Sequence, residues 1–303
     1  QTQWPVNDAF FIGETGYKHE FPGETHSGKN FRLVNSDALG FPDDPYAKEG
    51  TYIGYVGNDK WRISGTLKAP STAVIHGVAS YEESKHAKGL SNYLLENRDG
   101  KYIDATQSSN LKLEEHSVAA AVADLDNNGY QDLIVVKRGD LIHDNESFIF
   151  LNNGNKTFVQ TSQHNVVSKE KGAIGMAIEV MDYNADGNQD IILGNERGKW
   201  HLFKNDRKSD NLSKYLSIEV GNAPSGKTSA LGAQVILQSC TGKHIRVVGS
   251  TGANYSSGFN HFIHFGLGVC DKPVTIKVTW TNGETVEKSI SSFNTQELIG
   301  KKN

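Results

Sequence analysis

Only two cysteines occur in 303 residues, Cys240 and Cys270, and they form no C-x-x-C pair. Zinc ribbons, c-type haem attachment and dithiol redox motifs therefore lack support. The two thiols stand either buried and free or joined in one disulfide, the second being favoured in a secreted protein. Positive charge is not in surplus: 31 Lys and Arg face 35 Asp and Glu, a net charge of −4, so no nucleic-acid footprint is expected. No apolar run approaches the ~18 residues of a membrane-spanning helix, and no basic-then-apolar leader opens the chain. A chain starting at Gln1 reads as a mature or trimmed product, from which a signal peptide could already be gone. Long stretches with helical apolar periodicity are missing as well.

What remains is rich in turn formers. Glycine alone accounts for 31 residues, and Asn, Asp, Ser and Thr are abundant between short runs of Val, Ile, Tyr and Phe. Such runs separated by tight connections predict an all-β protein.

Within it lies an internal repeat. "SVAAAVADLDNNGYQDLIVVKRG" (Ser117 to Gly139) parallels "IGMAIEVMDYNADGNQDIILGNERG" (Ile174 to Gly198), and the acidic cores at Asp124 and Asp182 are 58 residues apart. A strand-like run precedes and follows each core. Hairpin-like stretches recur too, at "YLLENRDGKYIDAT" from Tyr93 and "IFLNNGNKTFVQT" from Ile149, while "WHLFKND" from Trp200 reads as the opening strand of a third copy. About four strands per repeat suit a propeller blade.

The acidic cores carry the clearest chemistry. The first comprises Asp124, Asp126, Asn128, Gly129, Tyr130 and Asp132; the second comprises Asp182, Asn184, Asp186, Gly187, Asn188 and Asp190. Side-chain oxygens at loop positions 1, 3, 5 and 9, with Gly at 6 and a carbonyl at 7 (Tyr130, Asn188), match the needs of a hard cation such as Ca²⁺. An EF-hand would add a Glu at position 12 and a helix, whereas Val135 and Leu193 stand there inside strand-like runs. A single D-x-D-x-N-G also serves as an ordinary Asx turn. Two copies at the same point of a repeat argue for two calcium sites, since clustered acids repel without a cation; Mg²⁺, which keeps its waters, fits less well.

On these residues, about Leu90 to Asp206, the chain resembles the FG-GAP/VCBS repeats of integrin-type β-propellers, whose D-x-D-x-D-G-x-x-D loops bind calcium. Asn128 and Asn184 stand where that family most often has Asp, which weakens a site without removing it. From Lys214 onward "ALGAQV", "GANYSSG", "HFGLG" and "VTWTNG" appear in order and resemble the ASPIC/UnbV domain, which commonly follows such repeats in secreted proteins of the cartilage acidic protein type. The resemblance implies architecture more than mechanism.

One stretch points elsewhere. "GNAPSGKT", Gly221 to Thr228, spells a phosphate-binding loop. A P-loop must open a helix, yet "SALGAQVILQS" follows, a Gly and then a β-branched strand, and Pro224 sits inside the loop. Nucleotide binding is not expected. Other enzyme motifs fail similarly: "HEFPGETH" (His19 to His26) lacks zincin spacing, and no G-x-S-x-G elbow occurs. His264 in "HFGLG" reads as a structural hydrogen-bonding residue, and Trp61, Trp200, Trp280 and Tyr255 as core packing or as platforms for sugar rings.

The expected organisation is a β-rich region over 1–90, possessing a hairpin over Thr51 to Leu67, a strand over Ser71 to Ser80 and no acidic loop; FG-GAP/VCBS-type repeats over 91–213; and a β-sandwich-like domain over 214–303. Residues 1–90 read as one or two degenerate blades that lost their cation sites, or as a separate β unit. Residues 1–213 hold between three and four blades, too few to close a propeller. The expectation is a partial or open one: a processed piece of a longer chain, an open sheet, or one that another subunit closes. Sequons at Asn145, Asn155, Asn211 and Asn254 would carry glycans in a eukaryotic secreted glycoprotein. The functional expectation is a secreted or cell-surface, calcium-binding adhesion or assembly protein without catalytic activity, with protein partners or self-assembly and no nucleotide or membrane span. The alternative is a carbohydrate-binding protein or polysaccharide lyase on a propeller scaffold.

Overall fold

The computed structural model describes residues 9–12, 28–31, 50–57, 60–66, 78–81, 88–141, 143–170, 172–196, 198–207, 213–249 and 262–302. Among these residues every regular element is a strand, no sheet closes on itself, and no helix is long and apolar enough to cross a membrane. The chain divides into two compact units, Gln1–Tyr81 and Glu82–Asn303. The sequence suggested breaks near 90 and 213; the second lies inside the larger unit, because the C-terminal domain packs on the acidic loops.

In the first unit β1 (Ala9–Ile12) runs parallel to β2 (Gly28–Phe31), and β3 (Gly50–Gly57) pairs antiparallel with β4 (Lys60–Thr66). That pair is the hairpin expected over Thr51 to Leu67. Of the strand expected over Ser71 to Ser80, residues 71–77 lie outside the described residues and 78–80 are not in a strand.

The second unit begins with the hairpin β5 (Leu95–Arg98) and β6 (Lys101–Asp104). Asp99 and Gly100 form its two-residue turn, both left-handed (φ 51° and 80°), as a type I′ turn requires. The first full repeat contains β7 (Ser117–Ala123), β8 (Asp132–Lys137), β9 (Asn145–Glu146), β10 (Phe148–Asn152) and β11 (Phe158–Thr161). Four of these make a sheet ordered β11-β10-β8-β7, while β9 pairs with the short β12 (Val167–Ser168). The second repeat is a three-stranded sheet of β13 (Ile174–Met181), β14 (Asp190–Glu196) and β15 (Trp200–Phe203). Ala119, Ala121, Ile134, Val136 and Ile149 of the first repeat share one core with Ile178, Val180, Ile191 and Leu193 of the second.

The placement of "WHLFKND" agrees with its reading as the opening strand of a third hairpin-like copy. Residues Ile191 to Gly194 pair with Phe203 to Trp200, so Trp200–Phe203 is the third strand of the second repeat, in the place that β10 holds in the first. In the first repeat ten residues, 138–147, separate the second strand from its hairpin partner, whereas only 197–199 do so in the second.

The C-terminal domain contains β16 (Lys214–Val220), β17 (Gln234–Ser239), β18 (Gly242–Val247), β19 (Phe262–Gly268), β20 (Val274–Thr279), β21 (Thr285–Ile290) and β22 (Thr295–Ile299). Two sheets, ordered β19-β16-β22 and β18-β17-β20-β21, enclose one core. Alternation places Leu216, Ile218 and Val220 inward against Val235, Leu237, Ile276 and Val278, and each such burial contributes roughly 1.5–3 kcal/mol. Trp280 is buried there with its Nε1–H donating to Gly221 O at 3.0 Å, so it packs the core and offers no sugar platform. A disulfide joins Cys240, in the β17–β18 turn, to Cys270, just after β19. It staples one sheet to the other.

The stretch that spells a phosphate loop is a turn closed by Ala223 N–H to Thr228 O at 2.8 Å. Glu284 takes up its donors: Ser225 gives its N–H to Oε2 at 2.9 Å and its hydroxyl to Oε1 at 2.5 Å.

Candidate metal centre

The acidic loops join the first two strands of each repeat, β7 to β8 and β13 to β14, and they match bond for bond. Gly129 N donates to Asp124 Oδ2 at 2.8 Å, and Gly187 N to Asp182 Oδ2 at 2.8 Å. Asn128 N donates to Asp124 Oδ1 (3.1 Å), and Asp186 N to Asp182 Oδ1 (3.0 Å). The last acid of each loop clamps its start: Asp132 Oδ2 accepts from Leu125 N at 2.8 Å, and Asp190 Oδ2 from Tyr183 N at 3.1 Å. The sequence produces this bend because Asn127 and Ala185 are left-handed (φ 57° and 58°), as are Gly129 and Gly187 (φ 95° and 86°). A Cβ at Gly129 or Gly187 would be strained at those angles.

Their carboxylates are arranged differently. In the first loop Asp124, Asp126 and Asp132 each bring an oxygen within 4.8 Å of the others, the one such trio of acids among the described residues. Asp124 and Asp132 are 2% and 0% exposed. Burial, followed by the neighbouring carboxylates, pushes both up to about 7, even though each accepts two backbone N–H bonds. In the second loop Asn184, Ala185 and Asp186 are exposed, and Asn184 Nδ2 donates to Asp186 Oδ2 at 2.8 Å. Asp182, Asp186 and Asp190 do not close to the same distance. Asp190 is raised by burial, while hydrogen bonds from Asn184 and Asn188 outweigh burial and hold Asp186 low.

The donor set of the first loop fits a hard cation. Its acids are all oxygen ligands, and a carboxylate has about four lone-pair sites, two more than these backbone bonds use. The protein's own cations lie at the edge. Arg207 reaches Asp126 O, with Nη1 3.7 Å from Asp126 Oδ2. Arg246 sits over the Phe265 ring at 5.4 Å, and Gln131 Oε1, with the amide turned to suit, accepts from its Nη2 at 2.9 Å. Neither guanidinium enters the trio, and Asp124 stays near 7 despite the charge on Arg246. On the second loop Lys204 Nζ lies 3.6 Å from Asp186 Oδ2.

His264 has the structural role expected of it. Asn127 Nδ2 donates to Gly187 O at 3.0 Å, which fixes the amide and leaves Oδ1 to accept from His264 Nε2–H at 2.6 Å. The buried Nδ1 is then the bare nitrogen and has no partner. Burial, then the charge of Arg246, pushes this imidazole down to about 4, so it is neutral at ordinary pH.

Several contributors escaped sequence reading: Asn127, Arg207, Arg246, and the pair Asn152 and Asn205. The last two carry a legible signal, an F-x-N string (Phe150 to Asn152, Phe203 to Asn205) after each acidic loop. Among the sequons, Asn155 is exposed and its Oδ1 accepts from Thr157 N (3.0 Å) and Oγ1 (2.5 Å). Asn145 differs, since its Nδ2 donates to Lys137 O (2.9 Å) and Arg138 O (3.4 Å), and a glycan there would take the place of one of its two N–H hydrogens. Asn211, Asn254, Tyr255 and "GANYSSG" lie outside the described residues. Elsewhere, Glu170 Oε2 lies 3.3 Å from His201 Nε2, and Ser168 Oγ accepts from Asn195 Nδ2 at 2.9 Å.

No curated protein matches the chain. Residues 223–301 match the family model described as ASPIC and UnbV, so the C-terminal β domain is similar to the domain that family defines, with the acidic repeats lying outside the match.

Proposed function

We propose that the protein is an extracellular calcium-braced scaffold for adhesion or assembly, in which the acidic loops hold cations for structure and not for chemistry. One observation carries this reading: two nearly inaccessible carboxyls, Asp124 and Asp132, face a third, Asp126, and the arginine that pairs with the trio, Arg207, reaches only Asp126. Left ionised and empty, such a group would cost several kcal/mol; a calcium ion would turn the repulsion into folding free energy. The second loop has the same backbone in a more open form, and it would bind more weakly. The disulfide in the C-terminal domain suits an oxidising compartment, which supports the extracellular setting.

Thermal melts with and without a chelator test it, on the natural chain and on Asp124→Ala and Asp182→Ala. The natural chain should lose stability on chelation, and Ca²⁺ should restore it better than Mg²⁺. The loss should shrink most in Asp124→Ala. An unchanged melt, with no metal found by elemental analysis, would reduce both loops to ordinary turns.

A second reading has one observation in its favour. Trp200 is 70% exposed, with its ring laid along Gly194 at 3.2 Å from where a Cβ would stand. A flat exposed indole can stack on a sugar ring. Glycan-array binding lost in Trp200→Ala would favour a carbohydrate-binding protein, and product formation on uronic-acid polymers would favour a lyase.

A further inference from the structure

Strand β19 of the C-terminal domain lies across the first acidic loop and grips it at one residue. Asn127, fourth in the loop, accepts His264 Nε2–H on its side chain at 2.6 Å and Gly268 N–H on its carbonyl at 2.9 Å. Between those two contacts Gly266 comes so close that a Cβ there would overlap Asp124 Oδ2 and lie 2.6 Å from Asn127 Cα. From the β17–β18 turn, Thr241 approaches Gly129, its Oγ1 3.2 Å from where a Cβ would stand. His264 also stacks on Tyr215 (5.6 Å between centroids, 18° between planes), and the Tyr215 ring fills the space that Gly187 leaves in the second loop. Asn127 Nδ2 bonds to Gly187 O and ties the two loops together. The H-F-G-L-G letters thus have a physical content: the histidine reads the Asn127 amide, and the two glycines let one backbone lie against another.

We propose that β19 reads the conformation of the first acidic loop, so that cation binding by Asp124, Asp126 and Asp132 and docking of the C-terminal domain are one coupled equilibrium. This rests on the calcium reading of that loop. The coupling follows from where the contacts fall. Empty, the three carboxylates repel one another, and any opening of the loop must move Asn127, which lies between Asp126 and Asn128. Holding Asn127 and the Asp124 carboxylate in place favours the closed loop, and the closed loop is the one that binds a cation. Linkage then works in both directions: docking tightens the site, and the cation tightens docking, by the same factor.

Calcium titration by calorimetry and amide hydrogen exchange, both on the full chain, test the proposal. Asn127→Gly keeps every metal ligand and tolerates the left-handed backbone, but removes the side-chain bonds to His264 and to Gly187 O. It should weaken the first loop's calcium site by about 5- to 150-fold, the span typical of coupled sites, and the other, which loses only the bond to Gly187 O, by less. Gly266→Ala should do the same; if it fails to fold, Asn127→Gly decides. In the natural chain calcium should slow exchange over Phe262–Gly268, an effect lost in Asp124→Asn and kept in Asp182→Asn. Should Asn127→Gly bind calcium as the natural chain does at both sites, the coupling is wrong and the calcium reading survives. Should the natural chain take up no calcium at millimolar concentration, the calcium reading falls and the coupling falls with it.

Discussion

Asn152 and Asn205 hold the same post in the two repeats. Each gives its N–H to the final acid of its loop, Asp132 Oδ1 and Asp190 Oδ1, at 2.8 Å. Each also gives Nδ2 to the carbonyl just before that acid, Gln131 O at 3.0 Å and Gln189 O at 3.2 Å. Asn205 adds a bond across the repeats, to Leu125 O at 2.9 Å.

Replacing either asparagine by alanine leaves a loop carbonyl short of a donor. Each such loss should cost about 1–2 kcal/mol, with Asn205→Ala the more damaging because it also loosens the first loop. Urea midpoints of the two variants would show the order; equal losses would mean that the bond to Leu125 contributes little.

The acidic trio should give the metal-free protein an unusual response to pH. Asp124 and Asp132 titrate near 7 in the fold instead of near 3.8. The fold therefore keeps two protons that the unfolded chain has released, and stability falls as pH rises from about 4 through 7. His264, held neutral down to about 4, works the other way below about 6.5. Two protons against one leave these three groups lowering stability by at most about 1.4 kcal/mol per pH unit in that window, with Asp190, raised by burial, adding to the fall and His244, lowered by burial, opposing it. Denaturant midpoints should therefore drop between pH 5 and pH 6.5 without metal, and saturating calcium should remove the drop. A metal-free midpoint that rises with pH would count against buried, uncompensated acids.

The two loops should release calcium unequally. The first is buried beneath β19 and gathers three carboxylates, while the second is exposed and has Asn184 turned onto Asp186. Stepwise chelation should empty the second loop first, seen as Asp182→Ala removing the weaker of two titration phases. Loss of the tighter phase in that variant would reverse the assignment.

The disulfide closes a loop between residues 240 and 270, a separation of 30. Loop-closure entropy assigns such a bridge about 3–4 kcal/mol. Replacing both cysteines with alanine should lower the unfolding midpoint of the C-terminal domain accordingly. A change below about 1 kcal/mol would mean that the core holds the two sheets together unaided.

How legible was this in the amino acids? The strand runs, the hairpin turns and the acidic loops were, because side-chain period, turn chemistry and ligand spacing are all local properties of the chain. The equivalence of "WHLFKND" to "IFLNNGN" was legible too, despite a connection cut from ten residues to three. The difference between the two loops was hidden, since it comes from β19, over 130 residues beyond Asp124. Letters showed two like sites; burial by a distant strand makes them unlike. Arg246 and Asn127 belong to the same class, their roles arising from proximity that no local spacing encodes.

The pairing of Ser225 with Glu284 bears on how short motifs deceive. The string at Gly221 to Thr228 has every letter of a phosphate cradle, yet an acid from 59 positions further along has settled on its hydroxyl and amide. That turn is an anion seat with a resident already in it. A visiting phosphate would have to evict a tethered carboxylate from donors that the fold has aimed at it, and would do so without a helix behind it.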